Sequence, residues 1–280
     1  MYKSLALSVA AVVAISAATA PATAAVFSSG AYNSTLALDG SGLDTQIGVA
    51  FSKGSYYLVS GGGPQSPISR TTIAGKLIES PISPNPGIDF RSIFTDARGA
   101  IFARGYASNV IYKQDGALGN FKPIVTLDGS SENQQQIVLS SDGTSYIGNN
   151  DGTLQFWNLA GQLTRTVTLD ASANGVQFNH EVSILGNYAV DYNNGTLSAF
   201  SLANGSLVGT TVLNGDVVDG TYGQSYANGY FFVSNGSQFL GYKIGASSAV
   251  PEPSVLLLMP IGFGMLALGR RRSVRNVVTA

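Results

Sequence analysis

One histidine stands in the 280 residues, His180, in the stretch Phe-Asn-His-Glu-Val-Ser beside Glu181. An imidazole oriented by a carboxylate can move a proton near neutral pH. Adjacent residues on a strand point to opposite faces, so this pair does not form easily on a strand. A structural role for His180 is the simpler reading. The chain has no cysteine. Disulfides, thiolate nucleophiles and thiolate metal sites are therefore excluded. With no histidine cluster and scattered acidic residues, no metal set is expected, and no cofactor. Asn149-Asn150-Asp151-Gly152 is rich in oxygen ligands. It lacks the run to a glutamate that a calcium-binding loop needs and reads as a hairpin turn. The glycine run 60–66, Ser-Gly-Gly-Gly-Pro-Gln-Ser, has no following Lys-Ser/Thr and implies no phosphate loop. What remains is a set of carboxylates, amides and one guanidinium: Asp44, Gln46, Asp89, Arg91, Gln134, Gln136, Gln177, Glu181 and Gln224. Such groups suit sugar hydroxyls, and equally a water-filled channel. Two carboxyls about 5–10 Å apart among them could also hydrolyse a glycosidic bond.

A repeat must position these groups. Five stretches share one shape, with glycines at Gly54, Gly99, Gly143, Gly186 and Gly229, spaced by 45, 44, 43 and 43 residues. Each glycine follows a turn-like residue and opens a short aromatic or aliphatic run, a turn leading into a strand. A second glycine follows each run, at Gly75, Gly116, Gly161, Gly205 and Gly245. Each unit of about 43 residues then holds four short strands. Four-stranded units of about 40–45 residues are the signature of a β-propeller. Alternating apolar residues let each sheet pack both faces on its neighbours, so few charges are needed. A flat β-sandwich or β-solenoid is the alternative.

The ends of the repeat point to closure. The fourth strand ends in Val-Thr-Leu-Asp-Gly (125–129), Val-Thr-Leu-Asp-Ala (167–171) and Thr-Val-Leu-Asn-Gly (211–215), and the last unit lacks it. The missing strand stands near the N-terminus as Leu-Ala-Leu-Asp-Gly (36–40). Residues 31–38 should therefore pair with the third strand of the last unit, which removes open edges. The expected fold is all-β, a propeller of five four-stranded blades closed by the N-terminal strand. The innermost strands fall near 45–51, 90–94, 134–139, 175–184 and 220–226, which brings the candidate residues to a central funnel. Of these, Asp44, Gln46, Asp89, Arg91, Gln136, Glu181 and Gln224 are the candidate ligand-binding set.

Both termini carry targeting features. Lys3, the apolar run 5–18 and the small residues Ala22, Ala24 and Ala25 read as a signal peptide over 1–25, cut after Ala24 or Ala25. At the other end Pro251-Glu252-Pro253 precedes sixteen uncharged residues and then Arg270-Arg271-Arg272. As a helix, sixteen residues span about 24 Å, short of a bilayer core of about 30 Å but usable with thinning. The arginines would stay cytoplasmic. In order and position, these three elements resemble a PEP-CTERM sorting signal. The resemblance is limited to 248–273, with 274–280 a short tail beyond it. It implies an exosortase as partner, cleavage at Pro251-Glu252-Pro253, passage through the inner membrane, and a final place at the cell surface or in the extracellular polysaccharide matrix. A plain single-pass anchor is the alternative. The resemblance says nothing of what the body over 26–247 does.

Charge narrows the partners. The full chain carries 15 basic and 16 acidic residues. Loss of both ends removes Lys3, Arg270, Arg271, Arg272, Arg275 and Glu252, and leaves a body with net charge −5. Nucleic acid, which needs a basic face, is not an expected partner; polysaccharide is a candidate. The leading expectation is an exported, non-catalytic binding or structural propeller. The other is a propeller hydrolase acting on glycans or lactones through Asp44, Asp89 and Glu181.

Overall fold

A computed structural model of the chain describes residues 26–28, 30–43, 45–63, 66–130, 133–170, 180–215 and 223–245. These lie in one compact unit, Ala25–Val250. The signal peptide, the sorting segment with its helix, and the tail lie outside the described residues. So do Asp44 and Gln177.

The described residues form strands and turns, with no helix among them. The first strand is β1 (Tyr32–Asp39). Three four-stranded antiparallel sheets follow in chain order. One holds β2 (Gln46–Ser52), β3 (Ser55–Ser60), β4 (Ile68–Thr72) and β5 (Leu77–Ile82). The next holds β6 (Phe90–Thr95), β7 (Ile101–Gly105), β8 (Val110–Gln114) and β9 (Phe121–Thr126). The third holds β10 (Ile137–Leu139), β11 (Ser145–Asn150), β12 (Thr153–Asn158) and β13 (Leu163–Thr168). The remaining strands are β14 (Ser183–Leu185), β15 (Tyr188–Asn193), β16 (Thr196–Ser201), β17 (Leu207–Asn214), β18 (Gln224–Ala227), β19 (Tyr230–Ser234) and β20 (Gln238–Lys243). With β1 they join in the order β14-β15-β16-β17-β1-β20-β19-β18.

Within that larger sheet the two halves are held differently. β1 runs antiparallel to β20 over Ser34–Asp39, with Leu38 opposite Phe239 and Asp39 opposite Gln238. The N-terminal strand thus completes the last unit where its sequence predicted. Its link to β17 is a short parallel pairing of Tyr32 with Leu213 and Asn33 with Asn214. The first strands of successive units touch in a closed cycle: β2 with β6, β6 with β10, β10 with β14, β14 with β18, and β18 with β2.

Side chains explain why the sheets stack. Five buried apolar clusters each bridge two successive units. Ile47 and Val59 meet Phe90 and Phe121. Phe102 and Ile111 meet Tyr146 and Trp157. Leu154 and Phe156 meet Val182 and Phe200. Tyr192 and Leu197 meet Phe231 and Tyr242. Leu38 and Phe239 meet Tyr56 and Leu58. A strand buried on both faces reads as a near-continuous apolar run, as Tyr-Tyr-Leu-Val in β3 does. The outer strands see solvent instead; β13 is exposed at five of its six residues.

Both sets of repeated glycines have a backbone cause. Gly54, Gly99, Gly143, Gly186 and Gly229 all adopt φ between +60° and +79° in the first hairpin of their unit. Left-handed backbone of this kind favours glycine. Three of the second set, Gly75, Gly161 and Gly205, latch neighbouring units. The N–H groups of Asp39, Asp128 and Asp170 donate to the carbonyls of Gly75, Gly161 and Gly205 at 2.9, 2.8 and 2.9 Å. A Cβ at these glycines would lie 1.9–2.0 Å from the carbonyl oxygens of Ala37, Thr126 and Thr168. In these three cases the Leu-Asp ending of an outer strand and the glycine of the next unit are two halves of one contact. Trp157, fully buried on a third strand, braces it by donating from Nε1 to the Asp128 carbonyl at 2.7 Å.

Candidate functional site

The first strands are shorter than the sequence suggests. β10 starts at Ile137 rather than Gln134, and β14 starts at Ser183, with 175–179 outside the described residues. The residues just ahead of these strands turn inward across the ring. Gln136 donates its backbone N–H to the His180 carbonyl at 2.8 Å. Its side-chain Nε2 reaches two other units, donating to the Ile47 carbonyl and to Glu181 Oε1, each at 3.1 Å. Glu181 Oε1 also accepts the Gly223 N–H. Asn149 Nδ2 holds the Glu181 carbonyl at 2.8 Å. Gln136 and Glu181 therefore tie the units of β2, β10, β14 and β18 together near the axis.

A second carboxyl belongs to this network. Asp191 on β15 accepts from Gln224 Nε2 at 2.8 Å, and Gln224 Oε1 accepts the Tyr192 N–H at 2.8 Å. Glu181 and Asp191 are 1% and 4% exposed. Neither Glu181 Oε2 nor Asp191 Oδ2 has a hydrogen-bond partner among the described residues. Burial, and next the neighbouring Asp191, pushes Glu181 well above the usual carboxylate range, while hydrogen bonds from Gly223 and Gln224 offset only part. Burial raises Asp191 from 3.8 to about 7 against the pull of Gln224 and Tyr192.

The other predicted residues fall into separate groups. Asp89 and Arg91 form an ion pair at 3.0 Å. Asp89 Oδ1 also accepts from the Gly62 N–H at 2.9 Å and Ser66 Oγ at 3.1 Å, which uses both its oxygens. The Arg91 guanidinium lies 4.9 Å from the Tyr106 ring centre. Gln46 is buried and accepts from Ser234 Oγ at 2.8 Å. Gln134 is half-buried. His180 pairs through Nδ1 with Asp151 at 3.1 Å, not with Glu181. Of the predicted set, then, Gln136, Glu181 and Gln224 come together; Asp89 and Arg91 pair apart from them, and Gln46 is held by Ser234.

Several buried polar residues went unseen in the sequence. Asp191 sits inside Tyr-Ala-Val-Asp-Tyr, Arg104 inside Ile-Phe-Ala-Arg-Gly, and Gln155 inside Thr-Leu-Gln-Phe-Trp. A charge or amide at a strand interior otherwise apolar is the signal that marks them. Arg104, 1% exposed, donates to the carbonyls of Ser108, Asn133 and Gln135 at 2.6, 3.0 and 2.5 Å. Gln135 Nε2 donates to Gln155 Oε1 at 2.8 Å.

Along the rest of the first strands runs a cavity of about 300 Å³. All five units line it, through residues such as Val49, Ile93, Val138, Ile184 and Tyr226. Among the described residues, Gln136 is the one predicted residue in its wall, and no charged side chain lines it. A wider cleft of about 830 Å³ lies on the units of β10–β13 and β14–β17, with Asp142, Arg165 and Tyr188 in its wall. There the Arg165 guanidinium stacks 3.9 Å from the Phe156 ring centre.

No family model matches the sequence, and no curated protein is significantly similar to it. Among solved structures, the crystal structure of Myxococcus xanthus glutaminyl cyclase aligns with a TM-score of 0.55 at 12% identity, over 76% of this chain and 97% of that one. A protein of unknown function from Bacteroides caccae aligns over 68% of this chain and 70% of that chain, at 15% identity and a TM-score of 0.42. The body has a β-propeller-like, all-β fold. At that identity the likeness is one of fold, and fold alone does not carry activity.

Proposed function

We propose that this chain is an exported, five-bladed β-propeller that binds a ligand rather than turning one over. In this reading β1 completes the fifth blade, and the tail directs the protein, through an exosortase, to the cell surface or the polysaccharide matrix. The sorting half is supported by the signal-like N-terminus and by Pro251-Glu252-Pro253 ahead of an apolar run and three arginines. The binding half is supported by one observation: among the described residues, the candidate carboxylates Asp89, Glu181 and Asp191 each bond to the protein and none lines the axial cavity. Asp89 is used by Arg91, Gly62 and Ser66. Glu181 and Asp191 sit behind Gln136 and Gln224 and do not line the axial cavity. Catalysis on a glycan or lactone would need such groups aimed at the substrate.

The test is to assay the purified protein on polysaccharide and lactone panels, and on peptides with an N-terminal glutamine, the substrate that the name of the similar solved structure suggests. No turnover is expected. Turnover lost in Asp89→Asn, Glu181→Gln or Asp191→Asn, with the fold intact, would favour the hydrolase reading instead. For sorting, mass spectrometry of released protein should find the chain cut near Glu252. Replacing Pro251-Glu252-Pro253 by alanines should leave it longer and membrane-retained.

A further inference from the structure

We infer that the axial cavity takes one small uncharged ligand with hydrogen-bond acceptors, of the size and kind of a neutral monosaccharide or cyclitol. This rests on the binding reading above. The first observation is two buried hydroxyls. Ser92 and Ser183 are 3% and 1% exposed, lie on β6 and β14, and line the cavity. Neither Oγ has a hydrogen-bond partner among the described residues. Buried polar groups are almost always paired, so two orphans in one wall call for an occupant. Ser225 on β18 adds a third hydroxyl. Its Oγ accepts the Val49 N–H at 2.9 Å and keeps an O–H to donate.

The second observation is the absence of charge from the wall among the described residues. A uronate or other anion would enter with no cation to meet it, and stripping its water would cost more than the hydroxyls return. Hydroxyl donors, the amides of Gln136 and Asn228, and aliphatic and aromatic walls instead match a molecule with polar edges and apolar faces. About 300 Å³ suits a single ring of that kind and lies at the small end of ligand cavities.

A glycine sets the room available. At Gly48 on β2 an added Cβ would meet Ile93 Cγ2 and Ser225 Oγ at 3.5 Å, ordinary contact distance. Its backbone is not left-handed and Gly48 lines the cavity, so a Cβ is tolerated by the strand, and a branched side chain there would crowd the wall formed by Ile93 and Ser225.

The experiment is calorimetric titration of the full-length protein with glucose, N-acetylglucosamine and myo-inositol, with glucuronate as the charged control. Saturable binding of at least one neutral probe, and none of glucuronate, is expected. Ser92→Ala and Ser183→Ala should each weaken it roughly 3–10-fold, the worth of one neutral hydrogen bond. Gly48→Val should abolish it while far-UV circular dichroism and melting stay near wild type. If Gly48→Val does not fold, the two serine variants carry the test. No binding by any neutral probe at millimolar concentration, or ordered water only in crystals soaked with the probes, overturns the inference. So do equal binding of glucuronate and unchanged affinity in a folded Gly48→Val. Each of these can occur without turnover, so the inference can fail while the non-catalytic reading stands.

Discussion

Asp191 is the residue whose chemistry the fold changes most. It stands on the second strand of its unit, takes a hydrogen bond from Gln224, and is raised from 3.8 to about 7 by burial. Glu181 is shifted the same way, by burial and by Asp191. A carboxyl raised in the folded state holds its proton more tightly there than in the unfolded chain. Its stabilising effect is complete below the ordinary carboxylate range and is lost as pH rises through the folded value. The body should therefore melt highest in mild acid and lose on the order of 5–10 °C between pH 6 and 8. Asp191→Asn keeps the acceptor for Gln224 and cannot ionise, so it should flatten this slope and raise the melting point at pH 8. Scanning calorimetry across that range checks it, and a melting point that is level from pH 6 to 8 in wild type would refute it. Glu181 and Gln224 were legible in the sequence as axial residues. Asp191 was not, because linear position gives no hint that β15 turns that side chain toward β18.

At the scale of elements, the contact between units joins two features that the sequence shows separately. Its two halves, a Leu-Asp strand ending and a glycine about 33–36 residues later, are visible as repeats. Only the structure shows that they touch. Gly161 illustrates the constraint, with φ +87° and a Cβ position 2.0 Å from the Thr126 carbonyl oxygen. Gly116 has a similar φ of +79° but open space around it. Gly116→Ala should cost only backbone strain, about 1 kcal/mol. Gly161→Ala must also push apart two backbones and break the bond from Asp128, so a loss of roughly 2–4 kcal/mol is expected. Urea titrations of the two variants read that difference, and equal losses would show that the latch carries no weight. The innermost strands were less legible. Gln136 and Glu181 fall inside stretches read as strand, but their side-chain hydrogen bonds run across the ring to other units instead of along a hairpin.

For the whole molecule the central issue is how a ring of repeats holds its two ends. The hydroxyls of the axial cavity were not readable at this scale, since Ser92, Ser183 and Ser225 share one wall only when strands of different units come around the axis. The closure was readable, because one unit lacked a strand and the N-terminus carried a spare. β1 covers the edge of β20 with Leu38, fully buried against Phe239, Tyr56 and Leu58. Its neighbour Asp39 makes the latch to Gly75 in the first unit. One strand thus joins the last unit to the first by sheet hydrogen bonds, by apolar packing and by a backbone contact. Removing it exposes the β20 edge and the apolar face beneath, the arrangement that invites strand-to-strand association. Deleting residues 26–40 should give a body that aggregates or melts without cooperativity. A milder variant separates packing from edge protection. Leu38→Asp keeps the strand but buries a charge, which should lower stability by roughly 3–5 kcal/mol while a single transition remains. Calorimetry with light scattering distinguishes the two. A deleted chain that stays monomeric and melts as high and as sharply as the intact one would show that the ring closes without β1.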